Sequence, residues 1–303
     1  MSQLAHLRQK IKSIQTTKKV THALRLVSMS LYAKLEKQDA TLKYYTKKVR
    51  GLFTEHLQYA PDWKNQVLLP NDLLDSNPLF IVVSSSRGLC GSLNSNLFRY
   101  LESSIFVKGQ QKARYITVGA KAYKFIKEQA FGDIEYSYNE LNSNNFITVA
   151  DALVEKIINA PVHYSSVSLF GTERRSFVNQ RPRKATIIPL IADQSKAVES
   201  SGIGATEERI NNVADHDHDE EIIWEQSNEA ILEVLSMGYL RCSIIDMLFQ
   251  SLLSEYSARF LAMDSSTTNA EKFLERLTMQ YNKARQAAIT KEVSELSAGF
   301  VEQ

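Results

Sequence analysis

Cysteine is nearly absent from this chain: Cys90 and Cys242 are the only two in 303 residues, with no CxxC spacing. That excludes a disulfide framework and a cysteine-built zinc site, and it fits a reducing compartment. Proline and glycine are also scarce, at 6 and 11, and their placement tells more than their number. Neither Leu4–Leu57 nor Ser227–Phe300 contains a proline; Gly51 is the lone glycine of the first, Gly238 and Gly299 the only ones of the second. Long apolar runs are missing too. The longest clear one, Leu79–Val83, falls far short of the about 20 residues of a membrane-spanning helix, so any membrane association is expected to be peripheral. No GxxxxGK[ST], GxGxxG or HExxH pattern occurs.

What the chain does have is asymmetry. Net charge is only +2, yet residues 1–50 carry twelve Lys or Arg against two acids, Glu36 and Asp39. Balancing acids come later, in part as Asp215-His216-Asp217-His218-Asp219-Glu220-Glu221. A basic end suits an acidic partner surface: nucleic acid, anionic lipid or protein. Aromatics are absent before Tyr32, so no stacking platform for single-stranded nucleic acid accompanies the charge. The basic, amphipathic start also has the look of an organellar transit peptide, but its helical pattern continues past any plausible cleavage point.

Both ends read as long helices. Leu4, Leu7, Ile11, Ile14, Val20, Leu24, Val27 and Leu31 recur at helical steps, with one six-residue jump from Ile14 to Val20 that predicts a coiled-coil phase slip. Ile231, Leu235, Ile245, Leu248, Leu252, Leu274, Leu277, Tyr281, Ala284, Ala288, Ile289, Val293, Leu296 and Phe300 carry the same rhythm at the other end. A helix on the order of 100 Å cannot bury its stripe in a globular core of this size, so each end needs the other as its partner. Between them, Leu79–Ser84, Tyr115–Val118, Val162–Phe170, Phe177–Val178 and Lys184–Leu190 read as strands. Asn94–Val107, Ala120–Gln129 and Thr148–Asn159 read as helices. The expected fold is a small Rossmann-like α/β domain, mainly parallel with an antiparallel edge, joined to a long antiparallel coiled coil of the two termini. Expected boundaries are 1–58 and 225–303 for the coil and 59–224 for the α/β domain, with a polar acidic loop at 192–221.

Candidate chemistry is thin. Ser84–Asn94 joins a strand to a helix through a glycine-containing turn whose amides could cradle phosphate, or it is a structural turn. Cys90 reads as a nucleophile or a packed thiol. His216 and His218 could hold a metal weakly, or sit in a solvated loop. No paired carboxylates or catalytic triad stand out.

Three segments resemble one family. Within Leu4–Lys37 the run L-x-x-L-R-Q-K-I-K-S-I-Q-T-T-K-K-V-T-H-A-L-R-L-V is similar to the N-terminal helix of the gamma subunits of F-type ATP synthases. Arg87-Gly88-Leu89-Cys90-Gly91-Ser92-Leu93-Asn94 resembles that family's R-G-L-C-G-x-x-N turn. Ser254–Arg259 and Asn269-Ala270 resemble its S-E-x-x-x-R and D-N-A elements, and Tyr281–Glu292 is close to verbatim. The resemblance implies a noncatalytic rotor shaft, without cofactor or metal. Its coiled coil would enter a hexamer of α and β subunits, and its base would sit on the membrane c-ring and bind epsilon. It further implies that Arg285, Gln286 and Thr290 touch β-subunit catch loops, that Leu24 lies near the β-subunit lever, and that Trp224 and Glu225 lie close to the c-ring. Leu24, Leu26, Ser28-Met29-Ser30 and Phe260 depart from the family's Met/Ala pattern, and the paired cysteines of the chloroplast regulatory insert are absent.

Two other readings compete: an independent nucleotide-binding enzyme built on the middle domain, and a static coiled-coil scaffold or nucleic-acid-binding protein. The rotor reading implies no nucleic-acid partner. It places the chain peripherally at the cytoplasmic face of a bacterial inner membrane, or on the matrix side of the mitochondrial inner membrane.

Overall fold

A computed structural model of the chain describes residues 2–60, 63, 65, 78–106, 113–160, 164–189 and 226–301. Helices α1 (Ser2–Tyr59) and α5 (Asn228–Val301) run unbroken for 58 and 74 residues, or about 90 and 110 Å. They lie antiparallel. Lys18 meets Glu271, Thr21 meets Thr267, Arg25 meets Asp264, Asp39 meets Gln250 and Arg50 meets Ser243, one number falling as the other rises.

The contact seam follows a heptad. On α5 the covered residues are Met263, Thr267, Ala270, Leu274, Leu277, Tyr281, Ala284 and Ala288, in alternating steps of four and three. The facing row on α1 is Leu4, Leu7, Ile11, Ile14, Lys18, Thr21, Arg25 and Ser28. The expected phase slip after Ile14 is therefore absent. Val20 and Val27 point away from the partner helix, 52% and 55% exposed, and polar residues hold the seam in their stead. The Thr21 and Thr267 hydroxyls hydrogen-bond across it at 2.9 Å, flanked by the Lys18–Glu271 and Arg25–Asp264 ion pairs.

The head comprises β1 (Leu79–Val83), α2 (Leu93–Phe106), β2 (Arg114–Val118), α3 (Ala120–Gln129), β3 (Ile134–Tyr138), α4 (Phe146–Ile158), β4 (Val167–Arg174) and β5 (Gln180–Ile188). The sheet order is β3-β2-β1-β4-β5; the first four are parallel and β5 pairs antiparallel with β4. Because side chains alternate along a strand, central β1 serves two cores. Leu79, Ile81 and Val83 join Leu153 of α4, Leu248 and Leu252 of α5, and Leu35 and Phe53 of α1. Phe80 and Val82 join Leu97 and Leu101 of α2 and Ala122 and Ile126 of α3. Being buried on both faces, β1 reads in sequence as an unbroken apolar run.

The expected Rossmann-like α/β domain on an antiparallel coiled coil is what the chain forms. Three details differ. Strand β3, between α3 and α4, was not foreseen: its Ile-Glu-Tyr-Ser-Tyr lies half exposed at the sheet edge and carries no apolar run. Strand β4 begins at Val167 and continues to Arg174, well past the expected end at Phe170. Phe177–Val178 is not a strand but part of the β4–β5 turn. The Phe177 ring leaves the sheet to meet Tyr32 of α1 at 4.9 Å and Phe260 of α5 at 5.3 Å, edge-on to each.

Candidate functional site

Helix α5 changes character along its length. From Leu240 to Ala258 nearly every residue is buried, enclosed by the sheet, α4 and α1. From Thr267 to Ser294 only the heptad seam is covered, so the paired helices leave the head there as a bare two-helix axle. Arg285, Gln286 and Thr290 lie near its far end, all exposed. The Thr290 hydroxyl donates to the Gln286 carbonyl at 3.0 Å, which leaves the arginine and glutamine side chains as the outward donors. Leu24, half-buried on α1, faces a level of α5 about 30 Å nearer the head. The structure thus brings Arg285, Gln286 and Thr290 together and separates Leu24 from them. Trp224 and Glu225 lie outside the described residues, as do His216, His218 and the 192–221 segment.

Around Leu24, and from there to just past Thr290, large apolar side chains face outward: Val20, Leu26, Val27 and Met29 on α1, Phe273, Met279, Ile289 and Val293 on α5. Lys and Arg side chains stand among them at Arg8, Lys10, Lys12 and Lys19. Sequence periodicity assigned Val20 and Val27 of α1 and Ile289 and Val293 of α5 to the seam, and all four lie exposed outside it; on α1 the polar Thr21 and Ser28 beside them were the signal that the seam lay one residue on.

The Ser84–Asn94 turn is tied to itself and to the axle. The Asn94 side chain accepts from the Ser85 amide at 3.2 Å and donates to the Ser85 hydroxyl at 2.7 Å. Leu89, at φ 66, sits exposed at the apex. Arg259 of α5 donates to the carbonyls of Arg87 and Gly88 and pairs with the buried Glu255 at 2.5 Å. Burial pushes the Glu255 carboxyl up and Arg259 opposes the shift. The two family-like motifs, R-G-L-C-G and S-E-x-x-x-R, are therefore one joint. Cys90 is a packed thiol here, buried with Leu93 and Ala258 and 3.5 Å from the Ser85 hydroxyl.

Open parallel sheets take ligands at the strand C-termini where chain order reverses, which here is between β1 and β4. That crevice is filled by α5. The Ser251 hydroxyl accepts from the Thr172 amide and the Ser254 hydroxyl donates to the Thr172 carbonyl, both at 3.2 Å. Gly171 permits the approach, since a β-carbon there would lie 2.6 Å from the Ser251 hydroxyl. What remains is a cavity of 200 Å³ lined by Cys90, Leu93, Pro182 and Leu261 among others, with no charged side chain. The geometry does not favour a nucleotide at this turn. Among the described residues, no group of His, Cys, Asp and Glu gathers as metal ligands would, and no helix is long and apolar enough to cross a membrane.

Fold and surface together define a stalk protein: an α/β head clamped on a two-helix axle that extends far past it. The family model described as ATP synthase matches residues 3–301. The ATP synthase gamma chain of Xanthomonas axonopodis pv. citri is 30% identical over 97% of this chain and 96% of its own length. That of Geobacter metallireducens is 28% identical over 99% and 98%. Among solved structures, the rotor of the Euglena gracilis mitochondrial ATP synthase has the same fold, at TM-score 0.64 and 17% identity over 95% of this chain and 99% of that one. The chain belongs to the ATP synthase gamma chain family.

Proposed function

We propose that this chain is the central rotor shaft of an F-type, proton-translocating ATP synthase, and that it couples rotation of a membrane c-ring to conformational cycling of catalytic β subunits. One observation carries the reading. The axle outside the head is slender, yet it exposes Val20, Leu26, Val27, Met279, Ile289 and Val293, which a solvent-bathed coiled coil would place in its seam. A surface that is both apolar and basic suits a sleeve with apolar walls and acidic loops, as the inside of an α/β hexamer would supply. A static scaffold does not need such a surface.

In this reading the axle spans 1–58 and 225–303 and the head spans 59–224. Arg285, Gln286 and Thr290 meet β-subunit catch loops, Leu24 meets the β-subunit lever, and Trp224 and Glu225 lie towards the c-ring, with epsilon bound to the head. The chain catalyses nothing itself: its asymmetric faces interact differently with alternative β-subunit states, and that difference is what rotation converts into work. The site is the membrane surface facing the cytoplasm of a bacterium or, for an organellar chain, the mitochondrial matrix.

The test is a chain with Arg285, Gln286 and Thr290 all replaced by alanine, assembled with partner subunits and membranes. Gradient-driven ATP synthesis is expected to drop several-fold, while α and β subunits still co-purify with the tagged chain. Undiminished synthesis would remove these residues from the contact. A wild-type chain that retains no α or β subunits would sink the rotor assignment.

A further inference from the structure

Where the head grips the axle, one carboxylate joins three elements. Asp39 of α1 is only 6% exposed and is one of two acids among the first fifty residues. Its carboxylate accepts from Arg174 Nη2 at 2.9 Å, from Gln250 Nε2 of α5 at 2.9 Å and from Lys43 Nζ at 2.9 Å. Arg174, the last residue of β4, also donates through Nη1 to the Tyr32 hydroxyl at 2.5 Å and to Glu36 at 3.3 Å. The Tyr32 hydroxyl donates in turn to Glu36 at 2.8 Å. Sheet, first helix and second helix thus meet on a single side chain.

This cluster is a poor way to gain stability. Burying Asp39 and Arg174 costs solvation that the ion pair returns only in part, and well-packed apolar residues usually do as well or better. Arg174 Nε is buried without a hydrogen-bond partner, a further cost. What a buried, multiply bonded ion pair does supply is register. Apolar side chains along the rest of the grip, such as Leu35, Leu248 and Leu252, are non-directional and tolerate small rotations about the helix axis. The planar guanidinium fork has one orientation that satisfies Tyr32, Glu36 and Asp39 together.

We propose that Arg174, Asp39 and Gln250 form a torque lock. They are positioning residues that hold both axle helices at a fixed rotational setting relative to the sheet while the head is driven and the axle is loaded. The lock rests on the rotor reading. Without it the chain still folds and the complex still turns over ATP, but the axle yields about its grip under load and turnover escapes coupling.

The experiment uses complete complexes in proteoliposomes containing the wild-type chain or the single variants Arg174→Met, Arg174→Lys and Gln250→Met. Protons moved per ATP hydrolysed are measured beside the melting temperature of each complex. With Arg174→Met, the share of uncoupled turnovers is expected to rise about tenfold, the equivalent of one lost hydrogen bond to a charged group. Arg174→Lys, which keeps the charge and loses the fork, should fall between it and wild type. Gln250→Met, which keeps volume and removes one bond to Asp39, should also leak. A lowered melting temperature with an unchanged proton-to-ATP ratio would reduce the cluster to a structural role and overturn the lock. Should Arg174→Met fail to assemble, the ratio for Gln250→Met decides in the same way. Absence of coupled pumping with the wild-type chain would instead strike the rotor reading itself.

Discussion

Asp246 shows how far single residues are bent to the needs of the grip. Its carboxyl lies on α5 under the sheet, 3.8 Å from Arg183, with Arg50, Lys43 and Glu173 also nearby. Burial pushes its pKa up, and Arg183 and Arg50 recover only part of the shift. A carboxyl that holds its proton more tightly in the folded chain makes folding most favourable at and below the ordinary Asp value. That contribution is lost as pH rises through the higher folded value. Melting temperatures of wild type and Asp246→Asn should therefore diverge from about pH 4 upward, with the variant gaining on wild type until the window closes. A difference that does not change with pH would show that Asp246 is charged in the fold at no cost. Cys242 lies in the same zone, its thiol also pushed up by burial.

At the scale of elements, the polar stretch of the α1–α5 seam has a measurable signature. The Thr21 and Thr267 hydroxyls lie 2.9 Å apart in a buried position, and each also reaches a carbonyl of its own helix, Lys18 at 3.0 Å and Met263 at 2.8 Å. Replacing either alone by valine leaves a buried hydroxyl with its cross-helix partner gone, at a cost of about 1 kcal/mol or somewhat more. Replacing both restores an apolar seam of the same shape and should return most of that loss. Urea unfolding of the four chains of this double-mutant cycle measures the coupling, and additive effects would mean that the hydroxyls do not depend on each other.

The same seam marks the limit of what the sequence could disclose. Helix lengths were legible because proline and glycine are missing over two long segments, and an axle that long can only pair with another. Register was less legible. Val20 and Val27 are apolar yet lie exposed off the seam, so a rule that assigns apolar residues to the seam misplaced them. Strand β3 escaped for a related reason: an edge strand needs no continuous apolar run, and Glu135 is held there by Arg114 and Tyr164 rather than by burial. Tyr281–Glu292 was singled out by resemblance alone, since nothing in its periodicity distinguishes it from any exposed coil.

For the molecule as a whole, head and axle are not separable parts. Leu232, Leu240, Ile244, Leu248, Leu252 and Tyr256 of α5 belong to the same core as Ile81, Val118 and Leu169 of the sheet. A fragment ending at residue 226 lacks that entire wall. We expect it to show no cooperative thermal transition, whereas a chain ending at residue 284, which keeps the wall, should melt cooperatively. Circular dichroism and calorimetry on the two fragments decide the matter. A fragment 1–226 that melts sharply would make the head autonomous.

That shared wall sets a timetable for biosynthesis. A ribosome has to pass Ala258 before the sheet has both sides covered, and α1, which emerges ahead of the sheet, waits through all of that time for the helix it must lie against. For most of its synthesis the nascent chain presents a half-finished sheet and an unpaired amphipathic rod. Chaperone occupancy during translation should accordingly persist until the second helix appears, and end abruptly once it does.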